Sequence, residues 1–168
     1  MGWKIGDGMN TFSIKSFFSA DHDRLDKLFQ EWQSKKHEDF LSAKNSFREF
    51  CFGLKRHIEC EEKVLFPAFE GKTGFGGQGP TAVMRYEHKE IKRILEAIHE
   101  YVRNADPNTG ALEEELLSVL GGHNGKEENV LYPAIDNVTD ESERQKMFAE
   151  IHKISTADTQ TCCGLSAE

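Results

Sequence analysis

The sequence predicts an all-α protein, an antiparallel four-helix bundle followed by a short C-terminal helix, on three observations. Apolar residues recur at steps of three and four through four long segments, the period of a helix buried along one stripe. Clusters of glycine, proline and small polar residues separate the segments. The second half then repeats the first: His22 and His88, His57 and His123, and Glu61 and Glu127 are each 66 positions apart, as in two helical hairpins related by a pseudo-twofold axis.

The first helix carries Phe18, His22, Leu25, Phe29 and Trp32 on one face and gives way to the polar SKKHED at 34–39. The second places Phe47, Phe50, Leu54, His57, Glu61, Val64 and Ala68 on one face and runs toward the glycine-rich GKTGFGGQGP at 71–80. Met84, His88, Ile91, Leu95, Ile98 and Val102 form the stripe of the third, which NADPNTG at 104–110 terminates. The fourth reads Leu116, Leu120, His123, Glu127, Val130 and Ala134. Short connections make sequential helices antiparallel neighbours. Pro67 and Pro133 are expected to end or kink helices two and four, because proline lacks the amide and crowds the preceding turn. Asp140 with Glu143 three residues on forms a capping-box pattern that opens a short fifth helix through about Ile154. One domain is thus expected over residues 1–154, with the polar STADTQTCCGLSAE of 155–168 as a mobile tail.

Composition narrows the function. With 168 residues, 38% of them hydrophobic and 30% charged, the chain has the make-up of one soluble domain, and no apolar run reaches the roughly 20 residues of a membrane helix. The opening MGWKIGDGMNTFSI has no basic stretch followed by an apolar run, so a cytoplasmic address with reduced cysteines is expected. A net charge of -8 without a Lys/Arg-rich run argues against nucleic acid and anionic membranes as partners. GKT at 71–73 is not a phosphate-binding loop, since that motif needs a glycine where Phe66 stands and must follow a strand.

In every helix, residues that can bind a metal occupy core positions: His22, His57 with Glu61, His88, and His123 with Glu127. A His and a Glu four apart project from one helix face, so both reach one ion or two adjacent ions. If the chain turns near residues 37 and 107, all six fall in one layer of the bundle. Burying four imidazoles and two carboxylates together without a cation would cost several kcal/mol per unpaired charge. Imidazole and carboxylate ligands suit iron, with zinc or manganese as substitutes.

At these residues the chain resembles the hemerythrin-like (HHE cation-binding) family, which carries isolated histidines on helices one and three and His-x-x-x-Glu pairs on helices two and four. The phrases HIECEEKVLFPAFE at 57–70 and HNGKEENVLYPAID at 123–136 carry the likeness, which covers roughly residues 14–136. The resemblance implies a non-haem di-iron centre, two iron ions (Fe2+/Fe3+) with a bridging oxo or hydroxo group, and oxygen or nitric oxide as the small ligand. Oxygen-carrying members have a second histidine where this chain has Lys92, and the symmetric ligand set is more like that of the family's iron-sulfur cluster repair proteins. Two uses are therefore weighed: binding or sensing oxygen, nitric oxide or iron, and cluster repair or reductive chemistry on nitric oxide or peroxide. A third is a site filled by zinc or another ion with a structural task.

The other polar residues have plainer expectations. His37 falls in a turn, His152 in the last helix, and His99 lies about three turns from His88, so none belongs to the layer. Glu62 and Glu128 point about 100° away from the ligand face; a solvated face is expected ahead of the alternative, contacts that support the ligand residues. Glu96 and His99 make a single Glu-x-x-His where a ferritin-type site needs two. Cys51 and Cys60, and Cys162 and Cys163 in the tail, match no metal set. Gly121, Gly122 and Gly125 disfavour helix beside His123, which predicts either a close approach of a neighbouring helix or a path for a small ligand.

Overall fold

The computed structural model describes residues 13–154; the expected mobile tail, with Cys162 and Cys163, lies outside the described residues. Helix α1 (Ile14–Lys35) starts at Ser13, whose side chain accepts from the Ser16 amide. Helix α2 (Phe40–Cys60) starts at Asp39, whose carboxylate accepts from Ser42. It continues through one wide turn, Glu61–Leu65, into α3 (Phe66–Thr73), which Gly74 ends in the left-handed region at φ 74°. Helix α4 (Pro80–Arg103) begins on its proline. Helix α5 (Gly110–Lys126) passes through a second wide turn, Glu127–Leu131, into α6 (Tyr132–Val138). Helix α7 (Glu141–Lys153) opens on the capping box of Asp140 and Glu143 read from the sequence.

The two wide turns are π turns. The amides of Phe66 and Tyr132 donate to the carbonyls of Glu61 and Glu127, five residues back rather than four. They also explain why neither proline ends its helix. Pro67 and Pro133 fall in the first turn of α3 and α6, where a missing amide costs little, so both rods run on to Thr73 and Val138.

Helices α1 and α2 pack as one hairpin and α4 and α5 as the other, with α2 against α4 and α6 against α1 closing the four-helix bundle. The Asp136 carboxylate of α6 accepts from the Ile14 amide (2.8 Å) and the Ser13 hydroxyl (2.9 Å), tying α6 to the start of α1. The core is in two parts. One, built on Phe29, Trp32, Phe47, Phe50, Ile91 and Leu116, fills the end at the α1–α2 turn. The other, with Ile14, Phe18, Phe66, Met84, Ile135 and Phe148, fills the opposite end, where α7 covers it. The polar layer separates them.

At the first of these ends, Lys36 is buried and donates to Glu113 (2.7 Å) and Thr109 (3.1 Å). Glu113 also accepts from Trp32 Nε1 (2.8 Å) and Gln33 (3.1 Å), so one carboxylate joins the end of α1 to the start of α5.

The close helix approach expected at Gly121, Gly122 and Gly125 is absent: a Cβ at any of them would meet nothing within 4 Å. They flank His123 in sequence but turn away from it around the helix, toward the outside. The close approach is at Gly53, where a Cβ would lie 2.6 Å from Leu25 Cδ2 and 2.8 Å from the Arg24 guanidinium. Gly121→Ala and Gly122→Ala should therefore each stabilise the bundle by up to about 1 kcal/mol, and Gly53→Ala should destabilise it by roughly 1–3 kcal/mol. Denaturant midpoints of the three variants check both signs.

Candidate metal centre

All six residues singled out by their pattern meet in one buried layer. His22 comes from α1, His57 from α2 and Glu61 from the π turn after it; His88, His123 and Glu127 repeat the arrangement from α4, α5 and the second π turn. Glu61, His88 and Glu127 are wholly enclosed (0% exposed). The Nε2 atoms of His22 and His57 stand 3.0 Å apart. Glu61 turns Oε1 toward His57 Nε2 (3.6 Å) and Oε2 toward His88 Nε2 (3.2 Å). Glu127 turns Oε2 toward His22 Nε2 (3.4 Å) and Oε1 toward His123 Nε2 (3.2 Å). Each carboxylate therefore straddles two pairs of histidines, His22 with His57 and His88 with His123.

The outward nitrogens are equally ordered. His22 Nδ1 is held by Glu128 (2.6 Å), His57 Nδ1 by Asp21 (2.9 Å), His88 Nδ1 by Glu62 (2.8 Å) and His123 Nδ1 by Glu87 (2.9 Å). A carboxylate accepts from Nδ1–H and leaves the Nε2 lone pair directed into the layer, the tautomer a metal needs. For Glu62 and Glu128 these partners decide for the alternative, a contact with a ligand residue, over the expected solvated face. Each serves a histidine on a neighbouring helix, which a view of its own helix face does not reveal. Asp21 and Glu87 were missed, although a signal was present: they too are 66 apart, as are Glu62 and Glu128, and each immediately precedes a histidine of the set.

Tyr132 belongs to the repeated phrase at 123–136, but the pattern assigns it no role of its own. Its hydroxyl donates to Glu61 Oε1 at 2.6 Å and lies 2.9 Å from Glu127 Oε2. Burial pushes the phenol well above its usual range, and the two carboxylates push it further.

The layer is electrostatically tense. Burial, with Glu127 alongside, pushes the Glu61 carboxyl well above the carboxylate range. Burial pushes Glu127 the same way, but the adjoining His123 and His22 imidazoles outweigh it and hold Glu127 well below. For His22, desolvation opposes protonation and is overcome by Glu127 and Glu128, which raise it to about 9. The outer carboxylate of Asp21 resists burial through His57 and Arg24 and is held at about 2. Three enclosed polar atoms of this layer have no hydrogen-bond partner, namely Glu61 Oε2, His88 Nε2 and Glu127 Oε1, and they face one another. Buried polar atoms are rarely left so. A cation between them would satisfy all three, and a set of four imidazoles and two carboxylates suits iron, so the residues fit such an ion.

The family model described as the hemerythrin HHE cation binding domain matches residues 13–154. The chain belongs to this family. Among curated relatives, this hemerythrin domain is 28% identical to a protein named DNA nickase from Nostoc sp., over 95% of the chain and 43% of that protein. It is 34% identical to the iron-sulfur cluster repair protein YtfE of Edwardsiella ictaluri over 48% of the chain and 40% of that protein, and the Escherichia coli K12 protein of the same name gives the same figures. The chain thus spans less than half the length of these relatives. No solved structure gives a significant match.

The remaining histidines of the hemerythrin domain stand apart from the layer. His37 is exposed in the α1–α2 turn and His152 Nδ1 bonds the Phe148 carbonyl at 2.6 Å. His99 is fully buried with neither ring nitrogen partnered, but is absent from the groups that could hold an ion. Lys92 stays outside as well, 4.0 Å from Glu62 with its side chain 52% exposed. Cys60 is inert, its thiol pushed up to about 12 by burial. His37→Ala and His99→Ala are expected to leave metal content per chain unchanged, while His99→Ala lowers stability through the cavity it leaves. Loss of metal in either variant would show the layer to be wrongly drawn.

Proposed function

We propose that this domain holds two iron ions, one between His22 and His57 and one between His88 and His123, bridged by Glu61 and Glu127, and that it binds or senses oxygen, nitric oxide or iron itself. The observation that carries the reading is the straddling of both histidine pairs by both carboxylates, with every imidazole braced from behind by a further carboxylate. Two irons, when bound, supply adjacent redox-active Lewis-acid centres at which a diatomic ligand is held or reduced.

The residues around them have separable tasks. Glu61 and Glu127 bring two negative charges between two cations and lessen their repulsion. Asp21, Glu62, Glu87 and Glu128 fix ring orientation and raise imidazole basicity, and loss of such partners costs roughly 10–100-fold in metal affinity. Phe18, packed edge-on to His57 with centroids 5.1 Å apart, and Phe66, stacked on His88 at 5.8 Å, wall the layer from water. No described helix is long and apolar enough to cross a membrane, and the reading includes a cytoplasmic setting in which Cys51 and Cys60 remain thiols.

A second reading, iron-sulfur cluster repair or reduction of nitric oxide or peroxide, is supported by the similarity to YtfE proteins. Similarity to the protein named DNA nickase does not bring nucleic acid into the proposal, because the net charge of -8 works against a phosphate backbone.

Metal analysis with an aerobic absorption spectrum of freshly purified protein tests the core of the reading. About two irons per chain with the near-ultraviolet bands of an oxo-bridged ferric pair are expected; stoichiometric zinc in a colourless protein would sink it. Reversible oxygen uptake, nitric oxide binding and restoration of a damaged cluster then separate carrier, sensor and repair uses.

A further inference from the structure

The two halves of the site match in all four histidines and both bridging glutamates, and each histidine has an outer carboxylate, Asp21 standing in one half where Glu87 stands in the other; at one pair of equivalent positions only one half has a donor. Tyr132 stands 66 residues after Phe66. The Tyr132 oxygen is 2.6 Å from Glu61 Oε1, 2.9 Å from Glu127 Oε2, 3.3 Å from His57 Nε2 and 3.5 Å from His22 Nε2. Those four atoms are the complete proposed donor set of the first ion. Two ligands about 2.1 Å from an ion and at right angles to each other stand about 3 Å apart, so the oxygen has the spacing of a ligand adjacent to all four.

Nothing comparable exists in the other half. Phe66 lies flat on the His88 ring, with planes 9° apart, and offers no donor. The three unpartnered atoms, Glu61 Oε2, His88 Nε2 and Glu127 Oε1, are all on that side. Lys92, one turn on from His88, pairs outward with Glu62 and adds no ligand. Among the groups that touch the inward ligand atoms, the asymmetry is a single hydroxyl, which is fully buried and close only to the ligand atoms of one ion.

We propose that Tyr132 is a fifth protein ligand of the ion held by His22 and His57, so that an exogenous small ligand binds only at the ion held by His88 and His123. The inference rests on the two-iron reading. When the tyrosine binds ferric iron its O–H bond is replaced by an O–Fe bond and one proton leaves to solvent; no electron moves.

Resonance Raman of the iron-loaded ferric protein, excited in the visible, tests the bond directly. Tyrosinate ring modes are expected in the wild type and should vanish in Tyr132→Phe. The variant should keep two irons, since phenylalanine is already the residue at the equivalent position. Azide titration tests the consequence: one azide per pair of irons in the wild type and a second in Tyr132→Phe. Two irons without tyrosinate modes, or an azide stoichiometry that the substitution does not change, would overturn this proposal and leave the two-iron centre standing. A protein that takes up no iron would overturn both.

Discussion

Glu61→Ala and Glu127→Ala are each expected to release both irons together, whereas His22→Ala retains about one iron per chain. The difference follows from how the oxygens are shared. Glu61 addresses His57 with one oxygen and His88 with the other, so its loss takes a donor from both ions and a negative charge from between them. His22 addresses only the first pair, and its removal leaves the second ion's protein ligands in place. His88→Ala should mirror His22→Ala from the other side. The bundle should survive all four changes, since the two apolar clusters that flank the layer are untouched. Iron per chain and helical circular dichroism decide the matter. Glutamate variants that keep one tightly held iron, beside histidine variants that lose both, would overturn the bridging assignment.

The largest effect on stability is expected far from the histidine layer, at Glu113. Glu113→Ala should cost about 3–5 kcal/mol, because it leaves the buried Lys36 ammonium without its counter-charge and deprives Trp32, Gln33 and Thr109 of an acceptor. Replacing Lys36 and Glu113 together by apolar residues of similar volume should recover most of the loss, since the penalty comes from the abandoned charge. The pair also sets an acid limit. Burial works against the Glu113 carboxylate, but Lys36, Thr109, Gln33 and Trp32 outweigh it and hold its folded value below the usual 4.5. Its contribution is complete above that unfolded value and disappears as the pH falls through the lower, folded one. Urea midpoints measured from neutral to acid pH should therefore fall less steeply in the double apolar variant than in the wild type; parallel curves would refute the assignment.

The bundle and the inner residues were legible because each leaves a local, periodic trace. A stripe at helical spacing interrupted by His and Glu in the same register of two helices leaves one arrangement in which those groups meet, and the structure brings all six together. What escaped was set by contacts between helices. Glu62 reaches His88 and Glu128 reaches His22 across the bundle, so a projection of a single helix turns both toward water. Tyr132 and Phe66 hold the same place in the two repeated phrases, between Leu and Pro, where either ring can pack and the hydroxyl leaves no trace in the pattern. The glycines around His123 drew attention by their number, whereas the one that a helix contact requires, Gly53, sits alone in an apolar stripe. Proline chemistry was read correctly but applied to an ideal helix, and the π turns before Pro67 and Pro133 are what change its outcome.

Those π turns place a limit on how the chain can vary in length. Each accommodates one residue more than an α-helical turn would, directly between the glutamate of the layer, Glu61 or Glu127, and the residue that follows on the same side. An α-helix advances about 100° per residue. Deleting one codon within 128–130 would restore regular hydrogen bonding and rotate everything downstream by about that angle, carrying Tyr132 off Glu127 and Asp136 off the start of α1. The same holds within 62–64 for Phe66 and Phe69. Glu62 and Glu128 aside, which brace His88 and His22, substitutions can accumulate in both segments, but insertions and deletions cannot, so the interval from histidine to proline, ten residues in each half, is fixed in length even where its letters are free to change.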